Sequence, residues 1–179
     1  MGLGTSLSCD ISMNTNLSEE ERTMYQSSEK IRKILNTAKN VAIVGLSDKP
    51  QRASNFVGSY LLSEGYNVIP VNPMKEEIFG RTCYPDLKAV PEKIDLVDIF
   101  RRPQDCEAIV REAIEVGAKA VWMQLSIVNR DAAKIALDAG LDVVMDRCIK
   151  MEHGRYGGNL HWVGMNTEII TAKKAGRLF

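Results

Sequence analysis

The sequence predicts an α/β fold, a doubly wound parallel sheet of about five strands with helices on both faces. Three observations predict it. Apolar runs of strand length alternate five times with helical periodicities over short links. Three of the helical stretches run into a glycine at their end, Gly65, Gly117 and Gly140. The stretch 41–73, VAIVGLSDKPQRASNFVGSYLLSEGYNVIPVNP, has the form of the first half of a nucleotide-binding βαβ unit: strand, turn, helix, strand.

The elements follow in order. Residues 1–27 are expected to form a polar N-terminal tail, poorly ordered up to about Met24, and residues 28–179 the domain with its glycine-rich, basic C-terminal extension. Ile31, Ile34, Leu35 and Ala38 share one face of a helix over 28–39, expected to pack across the sheet edge. Val41 to Leu46 is a continuous apolar run, as in a strand covered on both faces. The next helix is expected to start with Ser54 as N-cap and to bury Phe56, Val57, Tyr60 and Leu61. Tyr66 to Val71 is the second strand. The connection 72–91 holds three prolines and is expected to form at most one helical turn, near Leu87. Ile94 to Phe100 is the third strand, followed by a helix over 104–116 in which Cys106, Ile109, Val110, Ala113 and Ile114 share a face. Ala118 to Leu125 is the fourth strand, Asn129 caps a helix to Ala139, and Leu141 to Met145 is the fifth strand. Right-handed crossovers with a reversal after the third strand predict the order 3-2-1-4-5. Beyond Lys150 the alternation is lost, and a glycine-rich excursion with a short terminal helix is expected.

Composition narrows the function classes. Lys plus Arg and Asp plus Glu both total 23, so the net charge is zero and nothing favours nucleic acid as a partner. No apolar run reaches membrane-spanning length. Met1 to Ser6 does match the M-G-x-x-x-[ST] acylation pattern at Gly2, with Cys9 as a second acylation position, and that pattern alone argues for a membrane contact. Cys9, Cys83, Cys106 and Cys148 form no C-x-x-C pair and follow no secretory leader pattern, so reduced thiols in a cytoplasmic protein are expected.

In an open α/β sheet the ligand lies beyond the carboxyl ends of the strands, where the strand order reverses. The segments at those ends, 45–54, 72–75, 101–103, 124–127 and 146–150, are polar, and four of them carry cations. Gly45 allows close backbone approach, the N–H groups that open the following helix form an anion site, and Arg52 can grip a phosphate oxygen. Ser47 and Ser54 add hydroxyl donors. Lys49, Arg101 and Arg102 are further phosphate partners. The turn is not G-x-G-x-x-G, and Asn72 stands where an NAD site carries an acid for the ribose diol; Lys75 is placed to attract a ribose phosphate instead. A ligand with a diphosphate and a ribose phosphate fits, and coenzyme A and NADP both meet that description.

GLSDKPQRASNFVGSYLLSEGYNVIPVNP, followed by YPDL, VDIFRRP, VWMQLSI and DRCIKMEH, resembles the stand-alone CoA-binding domain family, similar to the CoA-binding domain of the succinyl-CoA synthetase α-subunit, over roughly residues 28 to 170. The resemblance implies a Rossmann-like domain that binds coenzyme A. On matching positions it implies that Gly45, Leu46, Ser47, Arg52 and Ser54 hold the diphosphate, that Asn72, Pro73 and Lys75 hold the adenosine end, and that Phe100, Arg101 and Arg102 line the pantetheine path with Gln124 further along. The ligase's phosphorylated histidine lies on a separate domain, so His153 and His161 inherit no such role.

Cys148 follows the last strand beside Arg147 and Lys150, which would favour a thiolate able to form a mixed disulfide with the CoA thiol; a small buried residue is the plainer reading. Cys148 with His153 lacks the spacing of a zinc site, so no metal is expected. Asp95 and Asp98 read as solvated or sheet-end carboxylates, and Trp122 as core. Gly154, Gly157 and Gly158 would loosen a loop around Tyr156. No nucleophile–base pair is evident, so the expectation is a coenzyme A or acyl-CoA binding protein, a carrier, sensor or accessory module. Two alternatives stand beside it: an NAD(P)-binding oxidoreductase or redox-responsive module, and an acyl-CoA-dependent enzyme in which Cys148 or His153 takes part or a partner chain completes the site. Oligomeric state stays open.

Overall fold

The computed structural model describes residues 17–156. Two helices lead in, α1 (Glu19–Tyr25) and α2 (Ser28–Thr37). Strand β1 (Asn40–Val44), helix α3 (Ala53–Ser63) and strand β2 (Asn67–Val71) form the first βαβ unit. A small hairpin follows, β3 (Glu77–Ile78) and β4 (Arg81–Thr82). Then come β5 (Leu96–Ile99), α4 (Cys106–Glu115), β6 (Ala120–Met123), α5 (Arg130–Asp138), β7 (Asp142–Val144) and α6 (Ile149–Tyr156).

The sheet is parallel throughout, as expected of a Rossmann-like α/β fold, and its order is β2-β1-β5-β6-β7. The third core strand therefore lies beside the first, not outside the second, which corrects the expected 3-2-1-4-5 to 2-1-3-4-5. Pro70 supplies the reason. It sits in the middle of β2 without an N–H to donate, so β2 cannot be an interior strand. Its carbonyl accepts from Tyr84 N at 2.9 Å on the outer edge, and Tyr84 O accepts from Asn72 N at 2.8 Å. The chain around the hairpin thus covers the edge that the expected order had given to β5. The reversal of strand order now falls between β1 and β5, and the crevice opens there.

Alternate residues of the strands feed two apolar layers. Ala42, Ile69, Val97, Ile99, Val121 and Val143 face α4 and α5, with Tyr25 of α1 in the same cluster. Val41, Ile43, Leu96, Trp122 and Val144 face α2, α3 and α6. Each fully buried aliphatic side chain contributes about 1.5–3 kcal/mol. Helix α2 lays Ile31, Ile34 and Leu35 on this second face and packs against the edge strand β7. Trp122 is core, as expected, with its Nε1–H donated to Arg147 O at 2.7 Å.

Helix α1 shortens the expected tail. Ser18 and Glu21 close a capping box, Leu17 and Tyr25 are buried, and Gln26 Nε2 donates to Met145 O at 3.0 Å. Gly65, Gly117 and Gly140 stop α3, α4 and α5 as expected, and Asn129 caps α5 through Ala132 N. The connection after β2 forms a hairpin where at most a helical turn was expected. Helix α6 replaces the start of the expected loop and includes Gly154 and Tyr156. Gly2, Cys9, Gly157, Gly158, His161 and the expected terminal helix lie outside the described residues.

Candidate functional site

The crevice is built on the turn after β1. Gly45 has φ +87, and its N–H donates to Val71 O at 2.8 Å. A Cβ there would lie 2.6 Å from Phe100 O and 2.9 Å from Arg101 Cδ. Only glycine lets the turns after β1 and β5 close on each other at the point where the strand order reverses. Leu46 turns its side chain into the core and presents backbone alone to the crevice.

The rest of this turn is held by its own polar groups. Ser47 N donates to Ser54 Oγ at 3.1 Å, Lys49 N to Ser47 Oγ at 3.1 Å, and Asn55 Nδ2 to Ser47 O at 2.8 Å. Ser54, expected as the N-cap of α3, instead lies inside its first turn; Arg52 holds the cap position and makes no side-chain cap bond. Serines or asparagine cap α1, α2 and α5. Asn55 N donates to Arg52 O at 3.0 Å, so it is the N–H groups of Ala53 and Ser54 that keep their capacity for an acceptor, at the positive end of the helix dipole. Phe56, expected in the core, is 59% exposed on α3, and Lys150 Nζ lies 3.7 Å from the centre of its ring. Tyr60 is half-buried rather than buried.

The expected cations gather on this edge, three of them with acidic partners. Lys75 Nζ is 2.6 Å from Asp48 Oδ2, joining the turns after β2 and β1. The Lys75 ammonium holds the Asp48 carboxyl below the usual carboxylate range. Arg101 and Arg102 share Asp105, at 3.6 Å and 3.3 Å. Lys49 and Arg52 are exposed and make no ion pair among the described residues. Asn72 is engaged on both ends: Nδ2 donates to Leu46 O at 2.8 Å and Oδ1 accepts from Met74 N at 2.9 Å. Its side chain ties the two turns together, while Pro73 beside it is exposed.

Behind the crevice lies a buried polar chain. Gln124, 3% exposed, donates from Nε2 to Asp98 Oδ1 at 2.7 Å and accepts at Oε1 from Ile149 N at 3.4 Å. Its amide is spent inside the protein and does not face the crevice. Asp98 was expected near solvent, but it is fully buried, its Oδ2 has no hydrogen-bond partner among the described residues, and burial pushes its pKa up to about 7 against the opposing hydrogen bond from Gln124. Burial also raises the Cys148 thiol, with only partial relief from the backbone N–H groups of Met151 and Lys150. Of the cations expected to favour its thiolate, Arg147 turns towards Glu152 at 3.8 Å, while Lys150, seated over Phe56, offsets the burial only in part. His153 Nδ1 pairs with Tyr60 Oη at 2.9 Å in an aromatic cluster with Tyr66. Asp95 serves the opposite end of the sheet, where it accepts from Lys39 N and Asn40 N and pairs with Lys119.

The sequence reading missed Asp48 and Asp105, whose partners are known only once the fold brings the turns together. It also missed Asn55, and the pair Ser126 and Asp146. Both of these carry left-handed backbone, φ 66 and φ 57, and Asp146 Oδ1 accepts from Ser126 N at 2.7 Å across the ends of β6 and β7. No helix of the described residues is long and apolar enough to cross a membrane.

Comparison with known proteins bears on this crevice. The chain is 38% identical over 127 residues to the uncharacterized protein YneT of Bacillus subtilis, covering 71% of this chain and 94% of YneT. A solved structure of a hypothetical protein from Pyrococcus horikoshii superposes with a TM-score of 0.71 at 48% identity, over 73% of this chain and 92% of that one. The ADP-forming acetate–CoA ligase I of Archaeoglobus fulgidus is 28% identical over 123 residues, 63% of this chain but 18% of the ligase. The sequence model of the CoA binding domain family matches residues 39–154, which take in every turn that lines the crevice. The chain belongs to the CoA-binding domain family, in its stand-alone form similar to the CoA-binding domains of acyl-CoA synthetases.

Proposed function

We propose that the protein binds coenzyme A or an acyl derivative in the crevice between β1 and β5, and works as a carrier, sensor or accessory module. One observation carries the reading: the helix-opening N–H groups of α3, left without a side-chain cap, meet a crowded glycine and five cations at the switch point of the sheet. The diphosphate is assigned to the turn 45–54, with Lys49 and Arg52 as its free cations. Lys75 takes the ribose phosphate, and Phe100, Arg101 and Arg102 border the pantetheine arm. Asn72 and Gln124 support the site by holding its walls. A second reading, favoured by the acetate–CoA ligase relative, is an acyl-CoA enzyme in which a partner chain supplies the reactive groups.

Thermal shift with coenzyme A, acetyl-CoA, dephospho-CoA, NADPH and NAD tests this. A ligand at about one hundred times its dissociation constant stabilises a fold by about 2.7 kcal/mol, a readable shift. Coenzyme A is expected to give the larger shift; stabilisation by NADPH alone would overturn the reading. Turnover of an acyl-CoA by the purified chain would move the weight to the enzymatic alternative.

A further inference from the structure

We propose that Asp48 sets the discrimination between coenzyme A and its dephospho form, by occupying Lys75 until a ribose phosphate monoester displaces it. The inference rests on the coenzyme A reading above and deepens it.

The two groups come from turns 27 residues apart in sequence and meet at 2.6 Å on the ligand edge. Their side chains are 40% and 38% exposed, so the pair is open to water, and exposed ion pairs hold weakly. A phosphate monoester carries about −1.5 to −2 charges against the carboxylate's single one, and offers more acceptor oxygens. It is therefore the better partner for the Lys75 ammonium. Once displaced, the Asp48 carboxylate, 40% exposed, is solvated by water. Exchange thus buries no uncompensated charge on the turn. A diphosphate held at the α3 end does not need Lys75, so a ligand lacking the ribose phosphate leaves the Asp48–Lys75 pair in place. Asp48 consequently weakens coenzyme A and leaves dephospho-CoA alone.

Isothermal titration of the full chain with both ligands, at about 150 mM salt to suppress long-range terms, tests the inference. Asp48→Asn is expected to tighten coenzyme A about two- to fivefold and to leave dephospho-CoA within experimental error, raising the ratio of the two constants. The gain is expected to vanish in the Lys75→Ala background. Asp105→Asn, which removes the same charge from the Arg101 and Arg102 side of the edge, is expected to leave the ratio unchanged. Equal tightening of both ligands, weaker coenzyme A binding in Asp48→Asn, or a gain that survives Lys75→Ala would each overturn it. If the unmodified protein binds neither ligand, the coenzyme A reading fails and takes this inference with it. If it binds coenzyme A but Asp48→Asn leaves the ratio fixed, this inference alone falls.

Discussion

Replacing Asp98 by asparagine removes a carboxyl that the fold holds protonated up to about pH 7. Burial pushes its pKa from 3.8 to about 7, its Oδ2 is without a partner among the described residues, and its charge would raise the Cys148 thiol. Below about pH 4 the carboxyl is neutral in the folded and unfolded chains alike, so it contributes no pH-dependent penalty there. Between about pH 4 and about pH 7 the unfolded chain has lost this proton and the folded chain retains it, so stability falls as pH rises. Above the folded pKa the loss is complete. A shift of about three units, at about 1.4 kcal/mol per unit, places it on the order of 4 kcal/mol. Asparagine keeps the shape and the acceptor for Gln124 but cannot ionise. Urea unfolding followed by circular dichroism is expected to give variant and unmodified protein similar stabilities near pH 4. By about pH 8 the variant should be the more stable, by up to on the order of 4 kcal/mol. Parallel pH profiles, or a less stable variant at the alkaline end, would mean instead that the fold accommodates the ionised carboxylate.

Other substitutions probe the crevice. Gly45→Ala places a Cβ 2.6 Å from Phe100 O on a φ of +87, and is expected to lower stability by more than about 1 kcal/mol in a thermal melt. Arg52→Ala removes an exposed side chain without an ion pair among the described residues, so the melting midpoint should hold while coenzyme A and dephospho-CoA both weaken about tenfold by titration calorimetry. Ser126→Gly relieves a left-handed serine on an exposed turn and is expected to stabilise by about 0.5–1 kcal/mol in urea. Alkylation of Cys148 by iodoacetamide, mapped by mass spectrometry, should be slow near neutral pH and rise only above the usual thiol range; fast labelling at neutral pH would contradict the buried, raised thiol.

The five core strands were legible because strands buried on both faces read as apolar runs, and the helices because their glycine stops and apolar stripes are local. Strand order was not, since right-handed crossovers allow the third core strand on either side of the first pair. Pro70 held the missing information: a residue without an N–H marks β2 as an edge. Helix α1 had a local signal too, the Ser18-to-Glu21 capping box inside an otherwise polar stretch. The β3–β4 hairpin pairs only four residues, and its turn sets Phe79 at φ 60, a position where an aromatic residue gives no turn signal. For the site, the strand-end rule located the turns. Partnerships made across the fold were beyond it: Asp48 with Lys75, Asp105 with two arginines, and Gln124 with Asp98 depend on tertiary placement. Asn72 is the instructive case, chosen for its contrast with an NAD-site acid and found to fasten one wall of the crevice to the other.

The most direct test of the account is calorimetric titration of the purified protein with coenzyme A and, separately, with NADPH. Saturable binding of coenzyme A at one site per chain is expected, with NADPH weaker by at least about 1.4 kcal/mol, a factor of about ten. Absence of saturable coenzyme A binding at about millimolar concentration, or tighter binding of NADPH, would contradict it.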